Sequence, residues 1–358
     1  MKRRSLFMLL ALLAALLTAS FSALGEDAGS YMDVAVLSTT DMHGKCWHTD
    51  LLTNAPEPNS MLSVSTAVAQ AREEYGRDQV LLIDNGDLFQ RTQASETQLL
   101  ALADGRSSDP PAMALCLKEI GYDAFVLGNH EFNFSWSMMS GVYRYLEANG
   151  VAVLAANAVW DGTDGTHEAG SNAFTPWIAR TVTVNGHAHK IGILGLENCD
   201  VTRWDLPERY PGLRFTHPGN GSWSMAEEAA PYLAAMRAEG CEFIIVSYHG
   251  GLGSADDPLA FGSNTESQGL RLLQEAGGID MLILGHDHSS GYSGDRYPGA
   301  SGREVLVVNG GGQQLTKTVI RFREAASGAL ECYSGCVTAY RLTPFGSFIF
   351  NFYEGGEE

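Results

Sequence analysis

A mixed α/β fold is the reading this sequence supports, and two observations carry it. Short runs rich in Val, Ile and Leu alternate with longer segments of helical period, the rhythm of βαβ units. Five of the apolar runs pass directly into Asp, Asn, His and Gly. In an open α/β sheet, ligands gather outside the carboxyl ends of the strands, so such ends can pool side chains from distant sequence into one site. No internal repeat and no evident linker interrupts residues 26–358, and one mixed α/β domain is expected there.

The chain opens with Lys2-Arg3-Arg4, an apolar run from Leu6 to about Leu17, and small residues ending at Ala23-Leu24-Gly25. A charged end, a short apolar core and a small-residue cleavage site make a secretory signal peptide. Residues 1–25 are expected to be one, with an uncleaved anchor as the alternative. The mature chain would then be periplasmic, on the cell surface or extracellular. No Cys lies at the cleavage region to carry a lipid, and no later stretch is apolar enough to span a bilayer. Stable membrane insertion after cleavage is therefore not expected.

Strands are expected near 33–39, 79–84, 123–127, 151–155, 190–196, 242–248 and 279–284. Helical patterns fit 60–75, 110–120, 135–149, 224–239 and 265–276. The stretch TVTV-Asn185-Gly186-HAHK-IGIL reads as a β-hairpin, because Asn-Gly suits a type I′ turn. From Glu304 onward the pattern is mostly β, with Gly310-Gly311-Gly312 between two strands. That Gly run is not a nucleotide fingerprint, because no helix follows it.

Composition narrows the function. Apolar residues make up 45% of the chain, enough for a substantial core, and the formal net charge is −19. Loss of the three leader cations would deepen it. An acidic surface of this kind repels polyanions and argues against nucleic acid polymers as partners. A small anionic substrate would need a local source of positive charge, which two divalent cations in a cleft supply. Six cysteines form an even set (Cys46, Cys116, Cys199, Cys241, Cys332, Cys336). Cys332 and Cys336 are candidates to pair across a loop, although connectivity cannot be read from sequence. None falls in a CxxC pattern.

The five furnished strand ends are VAVLSTT before Asp41-Met42-His43-Gly44, VLLI before Asp84-Asn85-Gly86-Asp87, AFVL before Gly128-Asn129-His130-Glu131, IIVSY before His249-Gly250-Gly251, and MLIL before Gly285-His286-Asp287-His288. Five of the ten histidines stand at these positions. Asp41 and His43, two apart in an extended segment, would point the same way, and His286 and His288 repeat the spacing. One Asp-x-His is often chance; five coincidences point to a two-metal hydrolase. Asp87 is the candidate bridging ligand, since a carboxylate can bind two cations about 3.5–4 Å apart. Asp84 is either a partner that orients a ligand by hydrogen bonding or a strand-end turn residue. Asn129 offers a neutral carbonyl oxygen, and His249 an imidazole to the second cation. Mixed N/O ligation without thiolate suits Mn, Fe, Co or Zn. His187 and His189 are expected at the surface beside the hairpin turn, and His48, His167 and His217 have no strand-end context. Trp47 and Trp136 follow the motifs closely and would wall the cleft or pack in the core.

In this order the motifs resemble those of the calcineurin-like metallophosphoesterases. Thr39-Thr40-Asp41-Met42-His43-Gly44, Asp84-Asn85-Gly86-Asp87 and Asn129-His130-Glu131-Phe132-Asn133 are most similar to the exported 5′-nucleotidase and 2′,3′-cyclic-nucleotide phosphodiesterase branch. The resemblance covers about residues 33–325. It implies a four-layer αββα sandwich, two mixed sheets between helices. It also implies a first cation held by Asp41, His43, Asp87 and His288, and a second held by Asp87, Asn129, His249 and His286. His130 matches the family's catalytic histidine, which steadies the phosphoryl group or leaving oxygen. In 5′-nucleotidases an Asp often stands three residues later. Here that position is Asn133, which fits the cyclic-phosphodiesterase branch better and leaves the orientation of His130 open.

Relatives in this branch carry a second domain that stacks the nucleobase, and none is expected within this chain, whose β-rich tail runs from 326 to 358. The alternating stripe Phe348-Ile349-Phe350-Asn351-Phe352-Tyr353 is expected to pack in a core rather than stack bases. The expected function is hydrolysis of small phosphate esters, nucleotides foremost, by a water activated between two cations. The alternatives are a non-catalytic binding protein that keeps the fold, and a hydrolase of a sulfur ester or another anion.

Overall fold

The structure, a computed structural model, describes residues 31–221, 223–253, 266–288, 294–325 and 327–340. The expected leader and the aromatic stripe from 348 to 353 lie outside the described residues. Two six-stranded sheets form the centre. The first has the order β14-β13-β1-β2-β3-β4, with β1 (Tyr31–Thr40), β2 (Val80–Asp84), β3 (Ala124–Val126), β4 (Ala152–Leu154), β13 (Gln314–Glu324) and β14 (Leu330–Tyr340). The second has the order β11-β12-β10-β9-β7-β6, with β6 (Trp177–Val184), β7 (His187–Leu196), β9 (Cys241–Tyr248), β10 (Met281–Leu284), β11 (Asp295–Pro298) and β12 (Glu304–Asn309). A two-stranded ribbon pairs β5 (Val159–Trp160) with β8 (Leu213–Arg214).

Strand alternation explains the layers. In β1, Val34 and Val36 enter one apolar cluster while Ala35 and Leu37 enter another. The first cluster also takes Leu81, Ile83, Ala124 and Val126 from the first sheet, and Ile191, Ile193, Ile245, Met281 and Ile283 from the second. It is the layer between the sheets. The other cluster joins the opposite sheet faces to helices, with Met61, Val64 and Val68 of α1 (Met61–Tyr75) on the first sheet side. Both faces of the central strands are thus buried, which is why they read as unbroken apolar runs. The two mixed sheets between helices match the expected architecture.

Among the described residues, the further α-helices are α2 (Gln93–Ala103), α3 (Ala112–Ile120), α4 (Trp136–Ala148), α5 (Val201–Trp204), α6 (Met225–Ala238) and α7 (Gly269–Glu275). Helix α2 has no counterpart in the expected set. It buries only Ser95 and Leu99, so it carries no apolar stripe to read, although Thr92 caps it by accepting from Ser95 N at 3.3 Å. The hairpin forms as expected, with Asn185 and Gly186 both at positive φ (53° and 83°) between β6 and β7.

Two expectations about side chains are corrected. His189 is buried, only 3% exposed, and its Nδ1 meets Glu242 Oε1 at 2.8 Å, because the strand's alternation turns it inward. His187 is exposed. Cys332 and Cys336 both lie within β14 rather than on either side of a loop, and the Cys336 side chain is outside the described residues.

Strand register brings the furnished strand ends to one level. Thr39 pairs with Asp84 and Asp84 with Phe125 in the first sheet. Tyr248 lies level with both Leu196 and Leu284 in the second. The parallel strands of each sheet therefore end together, and the loops that follow meet at one edge.

Candidate metal centre

The loop after β1 is held to the loop after β2 by three main-chain bonds. Asp41 N donates to Gly86 O at 2.9 Å, His43 N to Asp87 O at 2.9 Å, and Gly44 N to Leu88 O at 2.7 Å. Asp41 and His43 are not extended, as their spacing suggested. Both stand at positive φ (55° and 48°), as do Asp87 (55°), His286 (71°) and His288 (52°). Left-handed backbone is uncommon for non-glycine residues and gathers at functional sites, where the surroundings over-determine it. Tight turns after the strands, not strand alternation, aim these side chains.

Two glycines let the loops close. A Cβ on Gly128 would stand 2.4 Å from both Asp87 N and Asp87 Oδ1, and one on Gly285 would stand 2.1 Å from Thr40 Oγ1.

The loops assemble two triads, each with ligand atoms within 4.8 Å of one another: Asp41, His43 and His288, and Asp87, His249 and His286. His288 Nε2 lies 3.2 Å from Asp41 Oδ1 and 3.2 Å from His43 Nε2. His249 Nε2 lies 3.3 Å from Asp87 Oδ2. Asn129 Oδ1 joins the second triad through His286 Nδ1 at 2.8 Å. The triads adjoin, since His286 N donates to Asp41 Oδ2 at 3.1 Å. All seven residues expected to hold cations are gathered here.

A second tier of residues orients the first. Burial raises Asp84 to about 7. It accepts from Thr39 Oγ1 at 2.6 Å and from Gly86 N at 3.1 Å, so it braces the carbonyl that receives Asp41 N. Two residues without an assigned role in the sequence reading prove central. Glu131, buried, accepts main-chain N–H groups from Asp87 (2.9 Å), Gly128 (2.8 Å), Leu88 (2.8 Å) and Phe89 (3.4 Å). Asn85 links the sheets: Nδ2 donates to Tyr248 O at 3.2 Å, and Oδ1 accepts from Ser247 Oγ at 2.6 Å. The Asn85 carbonyl accepts from His249 Nδ1 at 2.5 Å, which leaves His249 Nε2 facing Asp87. A spacing signal for Glu131 existed, since it directly follows Asn129-His130. None existed for the Asn85 carbonyl.

Electrostatics bear the mark of concentrated negative charge. Burial raises the Asp87 carboxyl, but His249, His130 and His43 outweigh it and hold the group well below the ordinary carboxylate range. Burial likewise opposes ionisation of Asp41, and the neighbouring His288 and His249 reverse the balance. Burial would lower His249; Asp87 and Asp41 push it well above its ordinary value instead. His288 is raised by Asp41 beside it, while burial takes His43 down to about 4. Protons on imidazole thus balance carboxylates in a buried space, the balance that a divalent cation would take over. Asp41 Oδ1 and His249 Nε2 are buried and make no aligned hydrogen bond. Unsatisfied carboxylate and imidazole atoms converging without thiolate fit divalent cations of the Mn, Fe, Co or Zn kind.

His130 stands at the rim between the triads. Its main-chain N–H donates to Asp87 Oδ1 at 2.8 Å, and its ring centroid lies 5.5 Å from that of His43. Its Nδ1 faces Asn133 Oδ1 at 2.7 Å, and its Nε2 is 3.9 Å from Asp87 Oδ2. Trp136 instead packs against Trp160, Phe174 and Tyr143, and Trp47 packs against the core. The tryptophan beside the centre is Trp204, 40% exposed and 5.3 Å from the His286 ring. No strand-end motif marks it.

Residues 34–290 match the family model described as calcineurin-like phosphoesterase. Over 345 residues the chain is 26% identical to the trifunctional nucleotide phosphoesterase protein YfkN of Bacillus subtilis, covering 89% of this chain and 22% of that one. It is 25% identical over 266 residues to the 2′,3′-cyclic-nucleotide 2′-phosphodiesterase/3′-nucleotidase of Haemophilus influenzae, covering 72% of this chain and 36% of that one. The chain therefore spans only part of the length of these relatives. In fold, it matches the crystal structure of calcineurin-like phosphoesterase YfkN from Bacillus subtilis with a TM-score of 0.69 at 22% identity, covering 89% of this chain and 93% of that one.

Proposed function

Because this chain belongs to the calcineurin-like phosphoesterase family, we propose that it is an exported hydrolase of small phosphate esters, nucleotides foremost, working with two divalent cations. The single observation that carries this reading is the pair of adjoining triads with His130 at their rim. Cations held there would lower the pKa of a water and offset the charge of phosphoryl oxygens. The first would take Asp41, His43, Asp87 and His288, and the second Asp87, Asn129, His249 and His286. Export rests on the order of charged, apolar and small residues in 1–25. Among the described residues, no helix is long and apolar enough to cross a membrane.

The protein's own groups have distinct parts in the reaction. His249 is held by the Asn85 carbonyl with a proton on Nδ1, so Nε2 is the nitrogen that a cation displacing the second proton would take. Glu131 fixes the loop that aims Asp87. His130, with Nδ1 turned to Asn133, offers Nε2 to the leaving oxygen as the P–O bond breaks. Relatives named for 2′,3′-cyclic nucleotides make cyclic diesters the first substrates to try.

The test is metal analysis followed by a panel of 2′,3′-cyclic nucleotides, 3′-nucleotides, 5′-nucleotides, nucleotide sugars and bis-p-nitrophenyl phosphate. Metal-loaded protein should turn over at least one class, and chelation should abolish it. Inertness towards all of them in the presence of two bound cations would leave a binding protein as the better account.

A further inference from the structure

Asn133 turns Oδ1 to His130 Nδ1 at 2.7 Å, and the other end of its amide calls for a partner of its own. The fold brings one from 72 residues away. Asn133 Nδ2 donates to Asp205 Oδ2 at 2.7 Å, and Arg209 Nη1 donates to the other carboxylate oxygen, Oδ1, at 2.6 Å. The Asp205 side chain is only 1% exposed. Its main-chain carbonyl accepts from Tyr210 Oη at 3.0 Å, and its own N–H donates to Val201 O at 3.0 Å. The carboxylate is therefore held in place at both ends.

We propose that Asp205 is a positioning residue that acts through Asn133 to fix the tautomer and direction of the His130 ring. The logic is one of donors and acceptors. An ionised carboxylate only accepts, so the Asn133 amide must turn its NH₂ to Asp205. Its carbonyl oxygen then has to face His130 Nδ1, which can meet it only as N–H. The His130 proton is thereby placed on Nδ1, and Nε2 is left for the reacting group. Without Asp205 the amide could rotate by half a turn, and its NH₂ would favour the opposite tautomer.

This inference rests on the phosphoesterase reading for its purpose, but its geometry can be tested without turnover. Metal-free protein with selectively ¹⁵N-labelled histidine would be studied by long-range ¹H–¹⁵N NMR at about pH 8.5, above the ordinary imidazole pKa. A His130→Gln variant identifies the signal. The wild type should show His130 as the Nδ1–H tautomer, Asp205→Ala should show a mixture or the Nε2–H form, and Asn133→Asp in the Asp205→Ala background should return it to Nδ1–H. An unchanged tautomer in Asp205→Ala, or no return in the double variant, overturns the proposal. If Asp205→Ala fails to fold, the milder Asp205→Asn is used. Some Nε2–H form should then appear, and its absence is equally fatal.

Metal-loaded protein supplies the second readout, kcat on a 2′,3′-cyclic nucleotide relative to kcat on bis-p-nitrophenyl phosphate. The acid is the imidazolium, which keeps its Nδ1–H on Asn133 and delivers from Nε2 a proton taken up from solvent. Only the alkoxide leaving group needs that proton well aimed, so Asp205→Ala should lower this ratio by at least about tenfold, with the double variant recovering it. Equal losses on both esters would mean a merely structural role. If the wild type hydrolyses no ester of the panel, the phosphoesterase reading fails, and the NMR result still decides the place of Asp205.

Discussion

His249 Nδ1 donates to the main-chain carbonyl of Asn85 at 2.5 Å, joining a histidine at the end of a second-sheet strand to the end of a first-sheet strand. The same asparagine clamps Tyr248 and Ser247 through its side chain. One residue thus aligns the two sheets and selects the ring nitrogen that faces Asp87. Histidines that hold metals commonly use their second nitrogen in this way, and losing that support costs 10–100-fold in affinity or activity.

Asn85→Ala should therefore weaken both stability and metal binding. Two buried side-chain bonds disappear, and Tyr248 O loses this side-chain donor, for a cost of about 1–3 kcal/mol. Metal affinity should fall by about tenfold or more as the loop loosens. Denaturant unfolding and a metal titration measure the two effects. A variant with wild-type affinity would show that the side-chain clamp is not what holds the Asn85 carbonyl to His249.

Asp87→Asn replaces a carboxylate whose charge interacts with His249, His130 and His43. It should lower bound metal and cut turnover by at least about 100-fold, since one carboxylate is asked to serve both cations. Elemental analysis beside kinetics checks it. Near-wild-type turnover would count heavily against the ligand assignment.

Glu131→Gln keeps the shape but replaces one acceptor oxygen by NH₂. At least one of the four main-chain N–H groups now served by the carboxylate loses its acceptor. A loss of about 1–3 kcal/mol is expected, with weakened metal binding because the displaced loop carries Asp87. Unfolding curves with and without added metal would separate the two contributions.

Asp84 gives a pH prediction whose sign follows from its burial. Its ordinary value is 3.8, and burial raises it to about 7 in the folded protein. Between these values the unfolded chain has lost a proton that the folded chain keeps. Stability from this group is full below about pH 4 and is lost as pH rises towards 7. In chelator-treated protein, Tm should fall from pH 5 to 7 less steeply for Asp84→Asn than for the wild type. Parallel slopes in the two proteins would reject the role given to this carboxyl.

Much of this architecture is legible along the chain. Buried parallel strands have to be apolar on both faces, and they announce themselves as runs such as VLLI and MLIL. Loop residues that follow such strands stand out because Asp and His are costly there unless they have a task. Helix α2 leaves no apolar stripe in the sequence because it buries so little of itself. The local shape of Asp41 and His43 departs from its sequence pattern for a different reason. Spacing of two reads as extension, whereas neighbouring loops stabilise the left-handed turns that these residues adopt.

Residue types and their placement at strand ends single out the candidate metal-binding side chains, because both depend on local composition and period. Which donors stand together, which nitrogen of His249 faces inward, and which carboxylate lies behind His130 were decided only on folding. These depend on a main-chain carbonyl at Asn85 and on Asp205, 72 residues from Asn133. A carbonyl oxygen carries no side-chain signature, and a partner that far along the chain is chosen by packing rather than by pattern.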